Sequence, residues 1–309
     1  MSDLNSLVDD YMSFRQSRGY QPSPKIKRML HQFVDALPAP CDGLLFSIFD
    51  ALAWANAGGR PAWNAARLSM VRGFASYLVG CGLKAQIPPA GQMAAGTRRA
   101  TPYLYSPADV TAIMGAANVL FSPLKAATMA TLTGLLAVTG MRIGEALSLT
   151  VGSIDWTEHT ITILRAKFGT QRVVVLHEST CQALTAYLNR PDRASLGTET
   201  HQPLLTAWRG IAMSYSTAGP AFHEMVIKAG LPTRPGARPR AHDLRHTFAT
   251  QSMIDAYVNG GDPARTLALL SVWLGHVNPA DTFWYLQAAP EVAAIAASTL
   301  DNLENGTVA

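Results

Sequence analysis

TITILRAKFGTQRVVVL, residues 160–176, is the stretch that decides the fold class of this 309-residue chain. It contains two short runs rich in β-branched residues, 160–164 and 172–176, joined by a basic loop that includes a glycine. Runs of this kind on either side of such a loop predict a β-hairpin. The remainder of the chain shows helical spacing or turn signals. The sequence therefore predicts a mainly α protein with a small β-hairpin or sheet.

The N-terminal region shows helical spacing throughout. Apolar residues recur three and four positions apart within 4–12 and again within 26–37. Two further helices are expected at 42–58 and 62–80, because the sequence AGGRP between them supplies glycine and proline breakers. The region therefore predicts a four-helix unit.

Changes in composition predict the domain boundaries. We expect a helical N-terminal domain at 1–88, a linker at 89–104 and a second domain at 105–309. The linker is rich in Ala, Gly and Pro and carries Arg98 and Arg99. Such composition is typical of a connection between domains.

The second domain carries several helix start signals. Ser106 and Asp109 match an N-cap residue and the acid three positions later, and Asp262 before Pro263 matches a second start. A buried helix is expected to end at Thr139, before a glycine. Other helices are expected at 179–189, 216–229, 243–257 and 263–274, with two more starting at Asn278 and Pro290.

The composition is that of an ordinary globular chain. Hydrophobic residues make up 48% of it, enough for a sizeable core. The N-terminus carries acids where a signal peptide would carry lysines, and the longest apolar run, 126–140, is below the roughly 20 residues that span a bilayer. The cysteines are three, far apart and without a CxxC pair. We therefore expect a cytoplasmic protein with no membrane contact.

The distribution of charge permits a nucleic-acid partner without requiring one. The net charge is +4, and the first 104 residues hold 11 Lys and Arg against 6 Asp and Glu. Basic clusters in the hairpin loop and before His242 favour phosphate contacts, although a solvated surface loop is the alternative for each. The predicted DNA contacts are Arg98, Arg99, Arg165, Arg172, Arg234, Arg238 and Arg240.

Six residues form a candidate catalytic set, three of them in the stretches AHDLRHTF and WLGHVNPADTFWY. Arginines present planar charged forks to phosphate oxygens, histidines and a lysine can move protons, and a tyrosine can carry a covalent intermediate. The combination indicates chemistry at a phosphodiester without a metal or another cofactor. The set comprises Arg142, Lys167, His242, Arg245, His276 and Tyr285.

Each of these residues also has an ordinary structural interpretation. Arg142 is explained equally well as a surface arginine paired with Glu145, and Lys167 as an exposed hairpin lysine. The two histidines are explained as core or surface residues, and Tyr285 as an aromatic that packs against its neighbours. These alternatives lose force only when the six residues are considered together.

Four stretches resemble, in order and spacing, the signatures of the tyrosine recombinases, the phage integrase family. They are TGMRIGEALSL, RAKFGTQRVVVL, AHDLRHTFAT and LGHVNPADTFWY. Each stretch alone is weak, but four in order over about 145 residues are specific. The resemblance covers roughly 105–290 and implies a catalytic domain of the DNA breaking-rejoining fold. The helical N-terminal unit is similar to the core-binding domain of the family in size and class only.

The resemblance also implies roles for single residues. Tyr285 would attack a DNA phosphate and leave a 3′-phosphotyrosyl link, while Arg142 and Arg245 would clamp the non-bridging oxygens with His276 as a further donor. Lys167 would act as general acid for the departing 5′-oxygen, and His242 would assist proton transfer at the tyrosine. The loop sequence FGTQ departs from the more frequent Gly-Lys-Gly type, which makes Lys167 the least secure of these assignments.

The resemblance implies a site-specific recombinase that acts on double-stranded DNA as a homo-tetramer, for integration, excision or resolution. A XerC/XerD-like enzyme and a transposon-borne one both fit, and the short stretch before residue 4 favours a recombinase that needs only core sites. Three rivals are a type IB topoisomerase-like enzyme, an inactive DNA-binding relative and a metal-dependent nuclease. The last is disfavoured because the acidic residues are scattered.

The sequence after Tyr285 suggests one more helix, in which Val292, Ile295, Ala296 and Leu300 recur at near-helical spacing. We expect this tail to pack on a neighbouring protomer in the tetramer. The alternative is a helix that folds back on its own domain.

Overall fold

The described chain forms two compact units, one up to residue 93 and the other from residue 101 onward. The structure is a computed structural model, and it describes residues 3–20, 23–39, 43–93, 101–164, 171–232, 239–259, 261–276 and Thr282. None of the helices within these ranges is long and apolar enough to cross a membrane.

The N-terminal unit is a bundle of four helices, as its spacing predicts. Its core includes Leu30, Phe33, Phe74 and Leu78, all of which are fully buried. The guanidinium of Arg72 donates to the carbonyls of Pro88 and Pro89, which holds the segment after the last helix. The helices are α1 (Leu4–Ser17), α2 (Pro24–Asp35), α3 (Ile48–Asn56) and α4 (Pro61–Gly80).

The third helix is shorter than the predicted 42–58. Ser47 accepts a hydrogen bond from the backbone of Asp50, and the Asp50 carboxylate accepts one from the backbone of Ser47. This capping box fixes the helix start at Ile48. The predicted start is therefore wrong by several residues, because apolar spacing continues through Leu45 and Phe46 into the core without a helical backbone.

The second unit is also mainly helical. Its central helix is α6, which is buried along much of its length and packs against α5, α8 and α11. Its helices are α5 (Pro107–Gly115), α6 (Pro123–Thr139), α7 (Ile143–Leu147), α8 (Glu178–Leu188), α9 (Pro191–Ala194), α10 (Tyr215–Lys228), α11 (Asp243–Val258) and α12 (Pro263–Leu274).

The start signals read from the sequence are confirmed. Ser106 and Asp109 form a capping box at the start of α5, and the Asp262 carboxylate accepts from two backbone N–H groups at the start of α12. Gly140 ends α6 in the left-handed conformation with φ 61°. A residue without Cβ favours this conformation.

The predicted hairpin is present as two strands of a three-stranded antiparallel sheet in the order β1-β2-β3. The strands are β1 (Ile154–Asp155), β2 (Thr160–Leu164) and β3 (Gln171–Val175). In the register, Thr160 pairs with Val175 and Leu164 with Gln171. Val174 is fully buried whereas Val173 and Val175 are exposed, so alternate residues of β3 point toward the core.

A second small hairpin escaped prediction. It consists of β4 (Thr206–Trp208) and β5 (Ile211–Ala212), joined at Arg209 and Gly210, both of which have positive φ. Strands of two and three residues are too short for an alternating pattern. Arginine at a position with φ 48° also replaces the Asn or Asp that usually marks such a turn.

Candidate active site

Arg245 lies where three helices of the second unit meet. It occupies the first turn of α11 and is 2% exposed. Its Nη1 donates to the carbonyl of Gly140 at 2.8 Å, at the end of α6, and its Nη2 to the carbonyl of Leu274 at 2.7 Å, at the end of α12. Helix C-termini carry partial negative charge. Two of them therefore hold this buried guanidinium by main-chain atoms.

The turn that ends α12 brings His276 to Arg245. Gly275 is left-handed with φ 65°, a conformation that glycine adopts without a Cβ penalty. His276 Nε2 lies 2.9 Å from Arg245 Nη2, and His276 Nδ1 lies 2.7 Å from the Thr282 hydroxyl. A guanidinium only donates, so Nε2 accepts here and the ring proton is on Nδ1. In this geometry both ring nitrogens of His276 are engaged by protein groups, so the ring would have to turn away from Arg245 before Nε2 could donate to a phosphate.

Thr282 is a site residue that the sequence did not single out. It is 1% exposed and lies three positions before Tyr285 in the chain. Its hydroxyl fixes the orientation of the His276 ring. A threonine in this stretch has no pattern that distinguishes it from a packing residue, so no sequence signal was missed.

Arg142 is the N-cap residue of α7, two positions after the glycine whose carbonyl binds Arg245. Its side chain is 43% exposed. The Glu145 carboxylate accepts from the Arg142 backbone at 2.8 Å and from Arg142 Nη1 at 3.0 Å. The ion pair between Arg142 and Glu145, the ordinary structural interpretation of Arg142, is therefore present. It leaves much of the guanidinium exposed to solvent.

Arg172 is directed at Glu145 and is 9% exposed, so its guanidinium does not face solvent as the predicted DNA contact requires. Its Nη1 and Nη2 lie 3.0 and 2.7 Å from the two Glu145 oxygens. Burial raises the pKa of Glu145, but hydrogen bonds from Arg172 and the Arg142 backbone outweigh it and lower the value to about 2. Strand alternation explains the buried position, because Arg172 shares the inward face of β3 with Val174.

His242 immediately precedes α11 and stands in a cationic neighbourhood. The residue keeps an exposed edge, and its ring meets the ring of His246 edge to face at 5.0 Å. Protein atoms around the other sides lower the pKa of His242 by desolvation, and Arg245 lowers it further. Arg240 and Arg142 act in the same direction while Asp243 opposes them. The neutral ring, which can accept a proton, is therefore favoured near neutral pH.

Arg240 is half exposed and bound to a fully buried carboxylate. Asp243 accepts from the Arg240 backbone at 3.0 Å and from Arg240 Nη2 at 2.7 Å. This hydrogen bond raises the pKa of Arg240. Tyr105 donates to the Arg240 carbonyl, and Thr247 accepts from the Tyr105 backbone. The segment before His242 is thus attached to α11.

The structure brings four of the six candidates into one neighbourhood. Arg245 contacts His276 directly, shares the Gly140 turn with Arg142, and together with Arg142 shifts the pKa of His242. Lys167 and Tyr285 lie outside the described residues. Of the predicted DNA contacts, Arg98, Arg99, Arg165, Arg234 and Arg238 also lie outside them.

Within the described ranges, no group of three or more His, Cys, Asp or Glu side chains is placed to hold a metal ion. The described groups that come together at this site are fixed cations and imidazoles. Two guanidinium groups and two histidines in one neighbourhood suit an anion with several oxygens.

Comparison with known proteins identifies the family to which the chain is similar. The phage integrase family model matches residues 105–291. Integrase/recombinase y4rB of Sinorhizobium fredii is 35% identical over 300 residues, covering 94% of this chain and 95% of that protein. Tyrosine recombinase XerC of Mycobacterium bovis is 30% identical over 267 residues, 85% of each chain. A lambda integrase dimer bound to a COC′ core site shares the fold, with TM-score 0.63 and 20% identity over 91% of this chain and 76% of that one.

Proposed function

Because the chain belongs to the phage integrase family, the tyrosine recombinases, we propose that the neighbourhood of Arg142, His242, Arg245 and His276 is its DNA-cleaving site. The chain is a tyrosine site-specific recombinase with the mainly helical fold of that family. The observation that carries the site assignment is the buried Arg245 in contact with His276 at 2.9 Å. Burying a guanidinium costs free energy unless it is fully hydrogen-bonded, so a buried arginine held in this way indicates a functional role.

In the proposed reaction, the phenolic oxygen of Tyr285 attacks the phosphorus of a DNA phosphodiester. The bond from phosphorus to the 5′-oxygen breaks, a 3′-phosphotyrosyl bond forms, and the 5′-oxygen leaves as a hydroxyl after it takes a proton from Lys167. A 5′-hydroxyl from another strand then attacks the same phosphorus and releases Tyr285. Each step exchanges one phosphate ester for another, so strand exchange needs no nucleotide hydrolysis.

The described residues supply charge and proton transfer to this reaction. Arg142 and Arg245 offset the charge that builds on the non-bridging oxygens. An ordinary tyrosine has a pKa of about 10 and holds its proton at neutral pH. The lowered pKa of His242 keeps this ring neutral, which supports its role as the acceptor of the Tyr285 proton. His276, with its ring turned away from Arg245, would add a donor to the phosphate.

We assign double-stranded DNA as the partner of both the helical N-terminal domain, 1–88, and the catalytic domain, 105–309. Phosphate contacts from Arg98, Arg99, Arg165, Arg234, Arg238 and the exposed side of Arg240 would provide most of the affinity. Binding should therefore weaken steeply with salt. We place the enzyme in the cytoplasm, where chromosomal or mobile DNA is accessible.

We further propose that the active assembly is a tetramer on two DNA sites. The residues after Tyr285 would pack on a neighbouring protomer and so connect the four subunits in a closed ring. The lambda integrase in the comparison is a dimer on its DNA site, which supports pairwise assembly on DNA. Mobile-element integration and resolution of chromosome-type sites both fit this assembly.

The test is covalent capture of DNA. Purified full-length protein is incubated with fragmented DNA from its source, the reaction is stopped with detergent, and the attached DNA is sequenced. We expect a recurrent site joined through its 3′ phosphate to wild-type protein, and no adduct with Tyr285→Phe. An adduct that persists in this variant would contradict the assignment of the nucleophile.

The same capture separates the alternatives. EDTA should leave adduct formation unchanged, whereas a metal-dependent nuclease would lose activity. Two captured sites should exchange strands, which a type IB topoisomerase-like enzyme does not do between defined sites. The family comparisons do not favour that enzyme or an inactive DNA-binding relative.

A further inference from the structure

The Glu145 carboxylate is bound by two arginines, Arg142 and Arg172, and the second has no part in the reaction described above. We propose that Arg172 is a positioning residue that fixes Glu145 and offsets its charge, so that Arg142 remains available to a phosphate. The inference rests on the proposed function of Arg142. It replaces the DNA contact that the basic hairpin cluster suggested for Arg172.

The two arginines differ in solvent exposure. Arg172 forms a two-pronged ion pair with Glu145 and is 9% exposed, as buried as its 12% exposed partner. Arg142 uses one side-chain nitrogen and its backbone on the same carboxylate and is 43% exposed. A planar fork held at both prongs has little freedom to turn toward DNA. The open guanidinium surface belongs to Arg142.

The charge balance requires the second arginine. Glu145 bonded to Arg142 alone would form a neutral pair, and a neutral pair attracts a phosphate weakly. Arg172 brings the three groups to a net charge of +1 and satisfies the remaining lone pairs of a poorly exposed carboxylate. The low pKa of Glu145, about 2, agrees with a carboxylate that stays ionised between two cations.

The network also connects two elements of the site. Arg172 lies on β3, opposite Ile163 of β2, whereas Glu145 lies on α7. Lys167 follows β2 in the chain and precedes β3. The ion pair therefore fixes the base of the hairpin that carries the proposed general acid to the helix that carries the proposed phosphate clamp.

The experiment compares Arg172→Gln with Arg209→Gln, which removes an exposed arginine at the β4–β5 turn. Two quantities are measured on the DNA captured by the wild-type protein. One is the rate of covalent adduct formation at saturating DNA. The other is DNA affinity as a function of salt, in a Tyr285→Phe background. Thermal unfolding of every variant reports whether it is folded.

If Arg172 positions Glu145, Arg172→Gln should slow adduct formation by about 100-fold, as small displacements of a catalytic group do. The slope of log affinity against log salt should match that of the control. Arg172→Lys keeps the charge but loses the fork, so we expect a rate between the two. The double variant Glu145→Gln, Arg172→Gln removes the neutralising acid and should recover at least about a tenth of the wild-type rate, a change of roughly 1.4 kcal/mol in the barrier.

A purely structural arginine would not be rescued by loss of its acid, so failure of the double variant to recover while folded would overturn the proposal. So would Arg172→Gln with a wild-type rate at saturation and a salt slope reduced by about 0.9, the value for one lost phosphate contact. If Arg172→Gln is unfolded, the adduct rates of Arg172→Lys and of the double variant test the proposal in its place. Absence of any adduct with wild-type protein would instead contradict the proposed function.

Discussion

At the scale of single residues, the site depends on how the surroundings set the protonation of its histidines. Desolvation lowers the pKa of His242, three nearby arginines lower it further, and the buried Asp243 opposes them. His276 keeps its proton on Nδ1 because Arg245 donates to Nε2 and Thr282 accepts from Nδ1. The two rings therefore differ in their surroundings, which is consistent with the different roles proposed for them.

We predict that His242 titrates below about 6.5, the ordinary value for histidine. Between the lowered pKa and that value, the unfolded chain binds more protons than the native chain, so the free energy of unfolding rises with pH across this window. NMR titration of the imidazoles, assigned by loss of one signal in His242→Gln, measures the pKa directly. The substitution should also remove the local slope in stability. Titration at or above 6.5 would contradict the lowering of this pKa by desolvation and by the neighbouring arginines.

At the scale of elements, the ends of α6 and α12 determine where Arg245 points. Gly140 and Gly275 both adopt the left-handed conformation, and each lies at or next to a carbonyl that binds Arg245. Trp273 strengthens the junction because its indole N–H donates to the Thr139 carbonyl at 2.9 Å. The two helix ends therefore act as one support for the buried charge.

We predict that Gly140→Ala lowers the free energy of unfolding by about 1–3 kcal/mol, because the residue has φ 61° and an added Cβ would lie 2.6 Å from Phe248. Adduct formation should fall as well, since the carbonyl that binds Arg245 would move. Gly144→Ala is the matched control, with an ordinary backbone in α7 and nothing within 4 Å of the new Cβ. It should be neutral or stabilising by up to about 1 kcal/mol. Equal denaturation midpoints for the two variants would contradict the packing argument.

Hydrophobic periodicity and helix caps predicted most of the helices and strands. The site was harder to predict, because its buried polar groups pair with residues that are distant in the sequence. The helix starts at Ser106 and Asp262 follow from local chemistry, so the sequence reveals them. Arg172 was expected to contact DNA because it lies in a basic cluster, yet its strand face points inward. The Arg245 acceptors are main-chain atoms from two distant segments, which no residue pattern records.

At the scale of the whole molecule, two units share one chain, and Arg142, His242, Arg245 and His276, for which catalytic roles are proposed, all belong to the second. Tyr285 and the tail that follows lie outside the described residues. The exchange of strands between two sites requires several copies of the site to meet on DNA. The tail is therefore proposed to act on the assembly of the subunits.

We predict that deleting the residues after Gln287 abolishes the pairing of two DNA sites while a single site is still bound. The lost packing on a neighbouring protomer is the physical reason. Light scattering and native gels of full-length and truncated protein on the captured site measure it. Unchanged tetramer formation would refute packing in trans. Pairing that is retained with lower thermal stability would indicate a helix folded on its own domain.

The support of Arg245 by main-chain carbonyls has a consequence for engineering. Randomising the side chains around the site to change DNA preference cannot delete these acceptors, because every residue carries a carbonyl. A directed-evolution library that keeps Gly140 and Gly275 fixed should therefore retain the orientation of Arg245 in many of its members. The same library would quickly lose function if it varied Glu145 and Arg172 independently, because their pairing is made entirely by side chains.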